Sequence, residues 1–446
     1  LSSILIRNTS IFNFHDLSYT EKAHIVIEGN KITSIVTGKD ALRFPESSDG
    51  GKNQYERVIE GSGKIVIPGM TNAHSHTAMT LLRGSSEDVN SFDWFNKHIW
   101  IYEQNLKPEF VYTGSLIGAA EMLLAGVTFV CDHYFAMDRA FEAYRDSGIR
   151  ADLAWALFGQ GENWKEDFER AMDFTESYRG QEERLTISLG PHSPYICPET
   201  FLKEIADISE RLDLKTHIHV SEEEWQVEKS LKELGVTPVK YLYDLGIIRE
   251  SSILAHAYCS TDEDLDIIAR SKALVAHAAK TYMKFGFLKP FLPRAIERGL
   301  KLSFASDGPA SNNTFSILEV ARDAALLCKL ATGDAEKCRI DELVPLLSGC
   351  SSIIPRIGRV KEGYIADMVL IERRDPTMMP EISLPANILY SVSERAVDTV
   401  IVDGRIVVEG GKLLTVDIDS LKSEAENIKK IMMKSDKNGP MQQFGV

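Results

Sequence analysis

Two histidines spaced two residues apart, His74 and His76, follow the apolar run Ile65-Val-Ile67 and the pair Pro68-Gly69. Residues i and i+2 of an extended strand project from one face. Both imidazoles can therefore reach one point, and neutral imidazole is the usual nitrogen donor to zinc. A metal needs further ligands from other parts of the chain. In Lys215-Thr-His-Ile-His-Val220, His217 and His219 share a face. His219 lies nearer the end of the run and is the better ligand, and His217 reads as a packed interior histidine. Asp307, followed by Gly308-Pro309, is placed to ligate the metal and to take a proton from its bound water. Its structural alternative is a helix-capping or turn aspartate. Glu222 lies three residues beyond His219, where a carboxylate can carry protons to and from a substrate. The adjoining Glu223 and Glu224 leave a solvated acidic helix start as the alternative. His256 is placed to donate a hydrogen bond to the attacked group or to steady the attacking water. The chemistry this set serves is metal-assisted hydrolysis. The chain has no Gly-rich phosphate loop and no Ser or Cys in a nucleophile elbow.

These residues must be carried by elements whose ends gather at one place. Runs of β character end near them: Val127–His133, Arg150–Leu157, Leu185–His192, Lys215–Val220, Ser252–His256, Ala273–His277 and Lys301–Asp307. With the strand leading into His74 they make eight, separated by amphipathic stretches such as 109–124, 198–212, 262–270 and 314–330. Eight β-then-α units over roughly 250 residues are the arithmetic of a (β/α)8 barrel. His74, His76, His133, His192, His219, His256 and His277 all fall at or near strand ends. In a parallel barrel those ends form the face that holds the active site. His133 and His277 are expected to face substrate or to support the ligands.

The two ends of the chain have a different texture. Short runs at 3–7, 24–28, 31–36 and 57–60, with a Gly29-Asn30 turn and a polar loop at 47–53, resemble runs at 363–371 and 397–409 around Asp403-Gly404. Neither set buries enough apolar surface alone, so the two ends are expected to build one β-sandwich together. The partition is residues 1–68 and 363–418 for the sandwich, 69–362 for the barrel, and 419–446 for a charged helix and polar tail.

The 446 residues are 44% hydrophobic and 26% charged, ordinary for a soluble globular protein. A net charge of −15 argues against nucleic acid or an anionic membrane as the main partner. The six cysteines show no CxxC pair and read as reduced, mostly buried thiols of a cytoplasmic protein. No signal peptide or membrane-spanning run is expected.

Taken together, Pro68-Gly-Met-Thr-Asn-Ala-His-Ser-His76, Gly190-Pro-His-Ser-Pro-Tyr195, His219-Val-Ser-Glu222, Leu254-Ala-His256 and Ser306-Asp-Gly-Pro-Ala-Ser-Asn-Asn313 resemble the amidohydrolase superfamily. The likeness is to its aminohydrolase and chlorohydrolase branch, which includes deaminases of methylthioadenosine and S-adenosylhomocysteine, and spans about residues 1–415. It implies one divalent metal, zinc before iron or manganese, on His74, His76, His219 and Asp307. The fourth strand ends in His192 rather than the bridging lysine of two-metal relatives. It also implies Glu222 as proton shuttle and His256 facing the reacting centre. The implied reaction is hydrolytic deamination of an aminated nitrogen heterocycle (purine, pteridine, pyrimidine or triazine-like), with metal-activated hydroxide attacking the amine-bearing ring carbon and releasing ammonia. A chlorohydrolase or amide-cleaving hydrolase of the same fold is the alternative, and a non-catalytic metal-binding homologue a third reading. The resemblance further implies a homo-oligomer and a small-molecule substrate.

Trp94, Glu103 and His192 match positions that adenosine-type deaminases turn toward the nucleoside. The arginine those enzymes carry on strand three is Trp155 here, which offers an aromatic face instead of a partner for a charged tail. The seventh-strand motif also departs, reading His277-Ala-Ala-Lys-Thr-Tyr-Met-Lys-Phe-Gly286. Lys280 and Tyr282 are therefore expected to border the pocket and alter substrate choice.

Overall fold

The computed structural model describes residues 3–41, 55–161 and 163–434. The polar loop at 47–53 and the polar tail after 434 lie outside the described residues. Eight parallel strands form one sheet, in chain order: Met70–Ser75, Val127–Tyr134, Arg150–Leu157, Leu185–Pro191, Lys215–Val220, Ser252–His256, Leu274–His277 and Lys301–Phe304. The sheet closes where its first and last strands meet. Ser75 bridges Asp307, the Asp307 N–H donates to the His74 carbonyl at 3.0 Å, and Asn72 exchanges hydrogen bonds with Ser306 at 2.9 and 2.7 Å. These contacts bring the first two ligand candidates beside the fourth. The expected (β/α)8 barrel is the observed one.

The strand carrying His74 does not include the apolar run before it. Ile65-Val-Ile67 belongs to the strand Lys64–Pro68 of a second sheet, and the barrel strand starts after Gly69. A Cβ at Gly69 would run into the Thr128 side chain, so the chain can cross from one sheet to the other here only without one.

The second sheet has nine strands, mostly antiparallel and drawn from both chain ends. Its N-terminal strands are Ser3–Phe12, Tyr19–Glu28, Lys31–Thr37, Arg57–Glu60 and Lys64–Pro68. The C-terminal ones are Met368–Glu372, Val397–Val402, Arg405–Glu409 and Lys412–Leu413. The two groups join where Lys64–Pro68 pairs with Met368–Glu372. The sheet wraps its own core of Ile6, Ile25, Ile27, Val66, Met368, Leu370 and Ile401. Arg150, at the start of the third barrel strand, ties the sheet to the barrel. Its guanidinium donates to Asp367 at 2.7 and 3.2 Å and to Asp403 at 2.8 Å.

The expectation of six reduced thiols is corrected at one pair. Cys328, in the helix Ile317–Thr332, and Cys338, in the turn beyond it, form a disulfide across a Cα separation of 6.4 Å. The helix end folds the chain back on itself there, which a ten-residue spacing does not disclose. Cys131, Cys197, Cys259 and Cys350 are free. Among the described residues no helix is long and apolar enough to cross a membrane.

Candidate active site

The barrel mouth gathers the histidines. His219 Nε2 lies 3.2 Å from His76 Nε2, and Asp307 Oδ1 lies 3.4 Å from His76 Nε2 and 3.5 Å from His74 Nε2. Four donors held tetrahedrally at about 2.0 Å from one centre stand about 3.3 Å apart, and these three separations match that spacing. His74 Nε2 is buried and has no hydrogen-bond partner among the described residues, as expected of a nitrogen reserved for a cation. These four residues fit a divalent metal.

The second atom of each ligand candidate is held from behind. His76 Nδ1 is 2.5 Å from the His133 carbonyl, His219 Nδ1 is 2.9 Å from the His192 carbonyl, and His74 Nδ1 is 2.8 Å from His217 Nε2. Hydrogen bonds of this kind set the tautomer that leaves Nε2 facing the centre. Asp307 Oδ2 accepts from Thr281 Oγ1 at 3.0 Å and Ser311 Oγ at 2.8 Å, leaving Oδ1 for the cluster. Burial and the neighbouring imidazoles hold His74 and His219 well below the usual histidine range. Both are neutral, the form that ligates.

Two site residues sit in left-handed backbone, His256 at φ 73° and Asp307 at φ 58°. Such conformations cost about 1–3 kcal/mol for residues other than glycine and persist where surrounding structure holds them. Gly308, next in the chain, packs so closely that a Cβ would meet Met79 Sδ at 2.7 Å.

Glu222 reaches the same centre from the loop after the fifth strand, with Oε1 3.7 Å from His256 Nε2. Burial, then the charges of Asp307 and Glu223, push its carboxyl well above the usual carboxylate range. His256 is pushed down to about 4 by burial. Its Nδ1 lies 3.3 Å from the Tyr282 hydroxyl, which also accepts the Ala278 N–H at 3.3 Å. With the hydroxyl donating to Nδ1, His256 would present Nε2–H toward the centre.

An inner cavity of about 120 Å³ lies over this cluster, lined by His76, His133, His192, His219, Glu222, His256 and Asp307. It opens into an outer cleft of about 910 Å³. Trp94, Glu103 and His192 line both. Trp94 Nε1 donates to the Ala310 carbonyl at 3.2 Å, and Glu103 accepts from the Tyr134 hydroxyl at 2.6 Å. Burial raises Glu103 to about 7 and lowers His192 to about 3. Trp155 lines the outer cleft alone, its ring backed by Phe174 at 5.7 Å.

The two seventh-strand residues do not stand where they were expected. Lys280 gives its ammonium to Glu319 at 2.8 Å and to Thr314 at 3.1 Å, and lines neither cavity. On the short helix Ala279–Lys284 the site-facing residue is its neighbour Thr281. Tyr282 is buried behind His256, stacked on Tyr258 at 3.9 Å, and lines neither cavity. His277 also stays outside, stacked on Phe291 at 5.6 Å, whereas His133 lines the inner cavity. Residues the sequence reading passed over include Asn72, Thr281 and Ser311. All three lie within motifs already quoted, Asn72 in 68–76, Thr281 in 277–286 and Ser311 in 306–313, so their positions were available as a signal.

Residues 65–407 match the Amidohydrolase family. The chain belongs to that family. It is a hydrolase acting on carbon–nitrogen bonds. The 5-methylthioadenosine/S-adenosylhomocysteine deaminase of Carboxydothermus hydrogenoformans is 35% identical over 428 residues, covering 95% of this amidohydrolase and 96% of the relative. The 5′-deoxyadenosine deaminase of Methanothermobacter thermautotrophicus is 33% identical, covering 92% and 94% of the two chains. Among solved structures, a zinc-bound adenosine deaminase from Xanthomonas campestris superposes with a TM-score of 0.90 at 24% identity, covering 97% and 98% of the two chains. The zinc complex of atrazine chlorohydrolase from Arthrobacter aurescens TC1 gives 0.85 at 22% identity, covering 96% and 100%. At these identities the structural likeness is one of fold.

Proposed function

We propose that this amidohydrolase is a metal-dependent deaminase of adenosine-like nucleosides, hydrolysing the exocyclic amine of the purine to ammonia. The observation that carries this reading is the approach of His76 to both His219 and Asp307, and of His74 to Asp307, at 3.2 to 3.5 Å beside the half-buried Glu222. Curated relatives named for deaminating adenosine derivatives support the substrate class. Zinc in the structures of similar fold supports the choice of metal.

His74, His76 and His219 would hold the ion through Nε2 and Asp307 through Oδ1. A bound divalent metal of this kind makes water acidic enough to deprotonate near pH 7. Asp307, its second oxygen fixed by Thr281 and Ser311, would take a proton from the attacking water. The water oxygen bonds to the amine-bearing carbon while Glu222 protonates the adjacent ring nitrogen. His256, kept neutral and donating through Nε2, steadies the developing charge. The carbon–nitrogen bond then breaks: the proton held by Asp307 leaves with ammonia, and the hydroxyl proton of the adduct passes to Glu222, leaving a ring carbonyl and restoring the Glu222 carboxyl. The narrow inner cavity admits the reacting edge of the ring, and Trp94, Glu103 and His192 flank the part of the nucleoside beyond it.

The test is an ammonia-release screen of the metal-loaded protein against adenosine derivatives, other aminated heterocycles and chlorinated triazines. Glu222→Gln should keep the metal, read by elemental analysis, and lower kcat about 10²–10⁴-fold. Chloride release without ammonia would instead select the chlorohydrolase reading. A metal-replete protein inert on the whole panel would end both.

A further inference from the structure

All five tryptophans of the chain, Trp94, Trp100, Trp155, Trp164 and Trp225, line the outer cleft. Trp94 and Trp100 share one helical stretch and the other three come from separate parts of the chain, so the barrel mouth assembles them. Most are braced by a second ring: Trp94 by Phe285 at 5.7 Å, Trp155 by Phe174 at 5.7 Å, Trp164 by Phe201 at 5.8 Å and Trp225 by Tyr195 at 5.5 Å. Edge-to-face and tilted ring pairs of this kind hold a wall in place. Phe158 adds a flat surface at the passage between the cavities, stacked on His192 at 5.0 Å.

The cations of the lining are Lys107, Arg170 and Lys229. The one arginine among them, Arg170, is paired with Glu166 at 2.7 Å on its own helix, and the Lys107 ammonium sits over the Phe110 ring at 5.5 Å. A carboxylate entering this cleft would give up water without finding a fixed two-point partner, which is costly. An uncharged ring or thioether would gain by leaving water.

The inner cavity, about 120 Å³, falls below the roughly 300–1,000 Å³ of ordinary ligand sites. A substrate therefore keeps only its reacting edge inside and extends the rest into the cleft.

We infer that the outer cleft is a subsite for an uncharged aromatic or apolar group at the end of the substrate away from the amine, and that it selects against a carboxylate-bearing tail. The choice of adenosine as the core to which that group is attached rests on the deaminase reading above.

The experiment compares the metal-loaded full chain on adenosine, 5′-methylthioadenosine, 5′-deoxy-5′-(phenylthio)adenosine and S-adenosylhomocysteine. In parallel, quenching of tryptophan fluorescence reports binding of each compound. The phenylthio compound should exceed S-adenosylhomocysteine in kcat/KM by about 10-fold or more. Trp155→Ala and Trp164→Ala should each shrink that ratio. Equal or better turnover of S-adenosylhomocysteine, lost in Arg170→Ala, would overturn the inference and leave the deaminase reading standing. If no nucleoside is turned over, the deaminase reading falls. Saturable quenching by the phenylthio compound but not by S-adenosylhomocysteine would then still support the subsite, and no quenching by either would overturn it.

Discussion

His217 Nε2 stands 2.8 Å from His74 Nδ1 in the barrel interior, below the candidate metal centre. With a metal on Nε2, His74 Nδ1 would carry the proton and donate it to His217 Nε2, which would make His217 a positioning residue rather than a mere core histidine. His217→Phe keeps bulk but removes the acceptor, and should weaken zinc binding about 10–100-fold in a chelator competition. His217→Gln, which can still accept, should restore part of the affinity. Unchanged affinity in the Phe variant would show that the contact is packing alone.

Tyr282 stands behind His256, its hydroxyl 3.3 Å from Nδ1, and lines neither cavity. Tyr282→Phe removes the hydroxyl beside His256 Nδ1, and kcat should fall about 10-fold, short of the roughly 10²–10⁴-fold contributed by an acid–base group itself. The ranking of substrates should not move. A changed ranking with kcat intact would return Tyr282 to the specificity role first expected of it.

Glu103 links stability to pH. Burial raises its carboxyl from the ordinary 4.5 to about 7, opposed only by the Tyr134 hydrogen bond. Between those values the folded state holds a proton that the unfolded chain has lost. Stability from this group is therefore complete below about 4.5 and is lost as pH rises toward 7. Glu103→Gln should flatten that slope and raise the denaturation midpoint at pH 8 relative to the parent, measured by urea titration at pH 5 and 8. An equal shift at both values would refute the assignment.

Arg150 offers a test of how the two sheets are joined. It is 2% exposed, as is its partner Asp367. Arg150→Met leaves Asp367 and Asp403 facing each other without the cation, and should cost about 3–5 kcal/mol in denaturant unfolding. A loss below about 1 kcal/mol would mean that water replaces the guanidinium.

Much of the site was legible because barrel strands announce their ends. His74, His76, His219, Glu222, His256 and Asp307 each sit just where a β-type run stops, and parallel strands bring such positions to one rim. Lys280 and Tyr282 were misplaced for a local reason. They lie on a one-and-a-half-turn helix whose facing cannot be read from six residues, and it turns Thr281 to the metal side instead. The pairing of Cys328 with Cys338 and the seam between Asn72 and Ser306 depend on where a helix end and two distant strands come to rest.

Residue types and their order were enough to establish an eight-fold β/α repeat, a second sheet shared by both chain ends, and a set of nitrogen and carboxylate donors suited to one cation. Spacing along a strand decides which side chains point together, and it is a local property. Folding alone decided the distances of 3.2 to 3.5 Å among those donors. It alone also gathered five tryptophans at one mouth and placed Tyr282 behind His256. Those relationships join residues far apart in the chain, and only barrel closure and packing of the loops above it set how near they come.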